Sequence, residues 1–164
     1  MIPVQQKKME NPFRLLMRVP VPWVFVLTYL LGAGMQWVIP CKVHPGGSFG
    51  SGIAGGVLFM IGAVIAGWSW LIFHGVRTTT IPGKLSAKLV TWGPFRLSRN
   101  PMYVGLAVAY LGEAGILRQV WPVLLLPLTV AYLNWIVIPV EEARLRDVFQ
   151  GEYERYCTKV RRWI

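Results

Sequence analysis

The chain has 164 residues, of which 54% are hydrophobic and 15% charged, and its net charge is +10. That is more apolar surface than the core of one small water-soluble domain can hide, so the bilayer is the expected solvent. The positive charge does not point to nucleic acid, because the basic residues follow the order of the apolar segments.

Four segments, residues 21–39, 53–73, 102–117 and 120–140, are apolar enough to be predicted as membrane helices. Residues 1–20 carry Lys7, Lys8, Arg14 and Arg18, but no small-residue cleavage site follows the first apolar stretch. That stretch is also long for a signal-peptide core, so it is expected to be retained as a helix. The next connection holds Cys41, Lys42, His44 and the run Gly46-Gly47-Ser48-Phe49-Gly50-Ser51-Gly52. Without a Gly-Lys-Ser/Thr ending the run is read as a flexible turn and not a phosphate loop.

In the second segment Gly52 with Gly56, and Gly62 with Ala66, have the small-xxx-small spacing that lets helix backbones approach closely in lipid. The third segment is the shortest: roughly 16 residues at 1.5 Å each span about 24 Å of a core about 30 Å thick. It is expected to begin at Pro101, to tilt little or to thin the bilayer. Glu113 lies inside it, near its outer end and near Arg118, and is read as structural.

Arg77, Lys84, Lys88, Arg96 and Arg99 lie between the second and third segments, and Arg144, Arg146, Arg155, Lys159, Arg161 and Arg162 come after the fourth. The other two connections hold only Lys42 and Arg118. By the positive-inside rule both termini and residues 74–100 face the cytoplasm. Cys41 then lies outside and Cys157 inside, which excludes a disulfide within the chain, and with His44 and His74 scattered no metal-ligand cluster is expected.

The expected organisation is one all-α membrane domain over residues 1–164. Its parts are a first helix pair at 21–74, a cytoplasmic loop at 75–100, a second pair at 101–140 and an amphipathic tail at 141–164. Apolar residues of the tail, Leu145, Val148, Phe149, Tyr153, Tyr156, Val160 and Trp163, recur mostly at three- and four-residue intervals. An interfacial helix, with a break at Gly151, is predicted there.

Polar residues concentrate at two cytoplasmic helix ends. In Arg96-Leu97-Ser98-Arg99-Asn100-Pro101, Asn100 is suited to cap the third helix, Pro101 fits the first helical position and the arginines suit lipid headgroups. Glu141-Glu142 opens the tail, where acids favour a helix N-terminus and Glu142 can pair with Arg146 one turn on. Both clusters are expected at one membrane depth, facing a common pocket.

The order of motifs over residues 80–163 resembles the integral-membrane methyltransferases that include isoprenylcysteine carboxyl methyltransferase and the phospholipid N-methyltransferases. The residues concerned are Leu89-Val90-Thr91-x-Gly93-Pro94-Phe95, Arg99-Asn100-Pro101-x-Tyr103-Val104-Gly105, Glu141-Glu142 and Phe149-x-Gly151-Glu152-Tyr153-x-x-Tyr156. The resemblance implies an S-adenosyl-L-methionine site with cofactor contacts at Leu89, Val90, Phe95, Asn100, Pro101, Met102, Tyr103 and Glu141. It also implies a lipophilic methyl acceptor drawn from the bilayer.

The chain departs from the family in having Asn100 where histidine is frequent, and asparagine cannot titrate as a base near neutral pH. It also has Ile136-Val137-Ile138-Pro139 where the prenylcysteine enzymes carry a basic residue before their acids. Asn100, Tyr103 and Glu141 are the expected catalytic residues, with Arg96 and Arg99 for a substrate carboxylate or phosphate. O-methylation of a carboxylate needs no base and is the favoured reaction; N-methylation of a phospholipid or small amine is the alternative. From another class, a non-enzymatic scaffold with a lipid-binding basic tail accounts for the helices but not for the spaced motifs. Neither nucleic acid nor metal is expected as a partner, and the oligomeric state is left open.

Overall fold

A computed structural model describes residues 19–41, 48–75 and 89–164 of the chain. Lys7, Lys8, Arg14, Arg18, Lys42, His44, Gly46, Gly47, Arg77, Lys84 and Lys88 lie outside the described residues, as do residues 76–88 of the predicted cytoplasmic loop. Among the described residues every regular element is helical: α1 (Val21–Val38), α2 (Ser48–Gly75), a 3-10 turn (Gly93–Arg96), α3 (Pro101–Leu117), α4 (Val120–Tyr132), a π turn (Leu133–Val137) and α5 (Ile138–Cys157).

The fold is that of an all-α membrane protein. Leu27, Leu30 and Leu31 on α1, Met60, Val64 and Leu71 on α2, and Leu124 and Leu128 on α4 are all more than half exposed. Only a hydrocarbon solvent makes so continuous an apolar exterior favourable. Among the described residues three helical paths are long and apolar enough to cross a bilayer, and α3 is a shorter apolar helix. It does begin at Pro101, and its 17 residues reach about 26 Å. The path from Val120 to Cys157, 38 residues in all, would be about 57 Å long, nearly twice the hydrocarbon core. Its apolar part ends at Val140, so Glu141 and the rest of α5 lie beyond the span.

Close backbone contact joins α2 to α3. Gly55, Phe59, Gly62 and Ala66 of α2 face Gly105, Ala109, Gly112 and Ile116 of α3. A methyl group on Gly62 would stand 2.5 Å from the Gly105 carbonyl oxygen, and one on Gly112 would stand 2.6 Å from Phe59 Cα. Gly62 and Ala66 thus make the predicted close approach. Gly52 and Gly56 do not, because nothing lies within 4 Å of where their side chains would be, and Gly55 takes the place on the packed face. The Gly-rich segment also differs from the expected turn: from Ser48 onward it is the start of α2.

Polar ties fix α1 against α4. Thr129 Oγ1 donates to Thr28 Oγ1 over 3.1 Å, and the backbone N–H groups of Val120 and Trp121 donate to Gln36 Oε1 at 3.1 and 3.4 Å. These bonds satisfy orphan donors at the α4 N-terminus, which lipid cannot do. Between the helices a core of Phe25, Tyr29, Met102, Tyr103, Tyr110, Leu126, Leu133, Val137 and Ile138 is buried.

The fourth membrane helix does not stop where the tail begins. Helix continues through the π turn into α5, and the break within the tail falls at Gln150 (φ 43°, ψ −123°), one residue before the glycine expected to carry it. After Cys157 the chain turns back, and the Arg99 N–H donates to the Arg161 carbonyl over 2.9 Å. The loop before α3 and the chain's last residues therefore share one side of the membrane.

Candidate functional site

Three pieces of chain meet at that side: residues 98–103 entering α3, Glu141 and Glu142 near the start of α5, and the returning segment 158–164. Pro101 sits in the first turn of α3, pre-set for helix and lacking the N–H that would go unpaired there. Two residues on, Tyr103 is 5% exposed, and its hydroxyl donates to Glu141 Oε1 over 2.8 Å.

The two adjacent acids have opposite surroundings. Glu142 is 4% exposed and takes a bidentate contact from Arg162 (Nε to Oε1 3.1 Å, Nη2 to Oε2 2.8 Å), with Arg99 at 3.3 Å and Arg146 at 3.8 Å. The Arg146 pair is the one expected from the i, i+4 spacing; Arg99 and Arg162 come from distant sequence. Glu141 has no ion pair among the described residues. It keeps a narrow opening to solvent but is densely surrounded, and desolvation pushes its carboxyl up to about 7. The Tyr103 hydrogen bond and Arg144 pull the other way, while neighbouring Glu142 adds to the rise.

Asn100 does not cap α3 through its side chain. Its Nδ2 instead donates to the Arg162 carbonyl over 3.0 Å, which also accepts from Ser98 Oγ at 3.2 Å. Arg99 is committed to Glu142 and to Cys157 Sγ. Arg96 is exposed and has no ion-pair partner among the described residues.

Asn100, Pro101, Met102, Tyr103 and Glu141 are thus brought together, with Met102 buried in the main core. Val90 and Phe95 are not at the Tyr103–Glu141 pair. They pack with Ile72 and Phe73 in a second cluster, the Phe73 and Phe95 rings 5.0 Å apart, and Leu89 stands half-buried beside Val90. That cluster anchors the 3-10 turn, and the buried Tyr156 hydroxyl donates to the Phe95 carbonyl over 2.6 Å.

Sequence reasoning missed Asn134, Arg162 and Trp163. Asn134 Oδ1 accepts from Trp163 Nε1 at 3.0 Å and from Arg162 Nη1 at 3.3 Å. The usable signal was an amide side chain inside an otherwise apolar span, which is costly in lipid without a partner. For Arg162 and Trp163 the sequence carries no such mark.

The family model for phospholipid methyltransferases matches residues 51–152, from the start of α2 to the middle of α5. The chain belongs to the phospholipid methyltransferase family. Membership makes it a membrane methyltransferase acting on lipid-like substrates, which the scaffold alternative does not accommodate. In this methyltransferase the matched region contains both acids, the Asn100–Tyr103 turn and the α2–α3 contact; α1 and the returning segment lie outside it. None of the curated proteins and none of the solved structures matches the chain.

Proposed function

We propose that the protein transfers a methyl group from S-adenosyl-L-methionine to a lipophilic acceptor at the cytoplasmic membrane face. The observation that carries this reading is the contrast between the two acids. Glu142 is saturated by guanidinium groups, whereas Glu141 is desolvated and, among the described residues, has one hydrogen-bond donor and no ion-pair partner. A desolvated, partly buried carboxylate in that condition suits a ligand ammonium group, and the cofactor's amino-acid end is such a group.

The residues present therefore fit the cofactor. When bound it supplies a methyl carbon made electrophilic by a sulfonium sulfur. Glu141 accepts from the ammonium group, and Tyr103 holds that carboxylate in one orientation through its 2.8 Å hydrogen bond. Asn100 offers a neutral acceptor, and the buried Pro101–Tyr103 turn excludes water from one side of the site. With the cofactor held there, positioning of the acceptor beside it would provide most of the rate. The shared side of the loop and the tail, together with their excess of arginine and lysine, supports a cytoplasmic site.

For the acceptor we favour a carboxylate, which needs no base, with exposed Arg96, which has no ion-pair partner among the described residues, to hold it. A second reading, methylation of an amine headgroup, is supported by the match to phospholipid methyltransferases. The test is transfer of labelled methyl groups from S-adenosylmethionine, by protein in liposomes, to a prenyl-thioether carboxylate or an ethanolamine phospholipid. Label released as methanol by alkali identifies an ester; label that resists alkali identifies the amine reaction. No transfer to any lipid acceptor would contradict both.

A further inference from the structure

The returning segment, residues 158–164, makes more specific bonds than a frayed terminus would. Arg162 is its centre. Its carbonyl accepts from Asn100 Nδ2 (3.0 Å) and Ser98 Oγ (3.2 Å), while its guanidinium grips Glu142 (2.8 and 3.1 Å) and reaches Asn134 Oδ1 (3.3 Å). The neighbouring residues brace it: the Arg161 carbonyl accepts from the Arg99 N–H at 2.9 Å, and the Trp163 indole donates to Asn134 Oδ1 at 3.0 Å. One residue thus connects the turn before α3, the start of α5 and the π turn.

This arrangement decides the orientation of the Asn100 amide. A carbonyl oxygen only accepts, so the nitrogen end of the amide must face Arg162 and Oδ1 must face away. Among the described residues no donor reaches that oxygen. Asn100 is therefore held as an acceptor, suited to a ligand N–H or O–H and unsuited to a ligand carboxylate. On its other arm Arg162 holds Glu142, whose neighbour in the chain is Glu141.

We infer that Arg162 is a positioning residue for the cofactor site: it clasps the doorway to the acidic turn and presents Asn100 Oδ1 to a donor on the cofactor. Asn134 supports it, placed by the π turn Leu133–Val137 where it receives both the guanidinium and the indole. The inference rests on the cofactor reading given above. Arg162 itself lies outside the region matched by the family model, which ends at residue 152, whereas Asn100 and Asn134 lie within it.

The test is a double-mutant cycle in S-adenosylmethionine affinity, measured by calorimetry on detergent-purified full-length protein: wild type, Arg162→Ala, Asn100→Ala and the double variant. Each single change should weaken binding about tenfold, the scale of one lost hydrogen bond to a polar ligand. The double variant should bind nearly as well as Asn100→Ala alone, because Arg162 acts through that side chain. A merely structural role for Arg162 gives effects that multiply, and that result overturns the inference. Arg162→Ala binding within a factor of about two of wild type overturns it as well and leaves the cofactor reading standing, whereas a folded wild type that binds no S-adenosylmethionine removes both. Should Arg162→Ala fail to fold, Trp163→Phe loosens the same clasp by deleting the indole donor, and the same cycle with Asn100→Ala decides.

Discussion

The Tyr103 hydroxyl donates to Glu141 Oε1 over 2.8 Å, across the junction of α3 and α5. Among the described residues it is the one hydrogen-bond donor to a desolvated carboxylate whose neighbour, Glu142, is held by three arginines. On the proposed reading the two adjacent acids divide the roles, Glu142 holding the fold together and Glu141 receiving the cofactor's ammonium group.

Tyr103→Phe removes the hydroxyl and leaves the ring. The hydrogen bond goes to a carboxyl group that has to be ionised to take the ammonium group, so its loss should weaken S-adenosylmethionine binding by about 1.5–3 kcal/mol, roughly 10- to 100-fold. Titration calorimetry in detergent checks this, and the melting temperature should change little.

On the proposed reading Glu141 makes both binding and stability depend on pH. Its folded-state value, about 7, lies above the ordinary 4.5. As pH rises the unfolded chain loses this proton first, so the folded state binds more protons over that interval. The contribution to stability is therefore complete below about pH 4.5 and is lost as pH rises through about 7. Cofactor binding needs the ionised form and should tighten across the same window, then level off. Glu141→Gln should flatten the affinity profile over that window, as measured by binding isotherms at several pH values.

Glu142→Gln leaves Arg99 and Arg162 facing each other without the charge that joins them. Breaking so buried a network should cost about 3 kcal/mol, or roughly 6–12 °C in melting temperature for a chain of this size. Arg146→Ala, which removes the exposed partner at 3.8 Å, should cost at most about 1 kcal/mol. Thermal melts of both variants in one detergent make the comparison.

Gly112→Ala drives a methyl group against Phe59 Cα at 2.6 Å and the Gly55 carbonyl oxygen at 2.7 Å, both of them backbone. The α2–α3 interface has to open, at a cost of about 1–3 kcal/mol or more. Gly56→Ala meets nothing within 4 Å and should be neutral or slightly stabilising. Folded yield after membrane extraction separates the two.

The membrane helices were legible because apolar run length is a local property, and all four lie within a few residues of their expected bounds except where the second and fourth extend further. The helix face was less legible: Gly52 and Gly55 are equally small, and which of them meets α3 depends on a partner helix about fifty residues away. The π turn and its Asn134 left no periodic trace, since one extra residue per turn hardly alters an all-apolar pattern. Arg162 looked like any basic tail residue, because its partners at 98–100, 134 and 142 are assembled only by the fold. Asn100, Tyr103 and Glu141 were legible through the spacing of a resemblance, and their meeting is a product of the α3–α5 junction.

The central claim is that Glu141 binds the cofactor's cationic end. The most direct measurement is calorimetric titration of S-adenosylmethionine into purified wild type and Glu141→Gln, a substitution that keeps size and removes charge. Saturable binding in the wild type, lost or weakened at least about 100-fold in a folded Glu141→Gln, is the expected result. Equal affinity in both proteins, or no binding by a folded wild type, would contradict the claim.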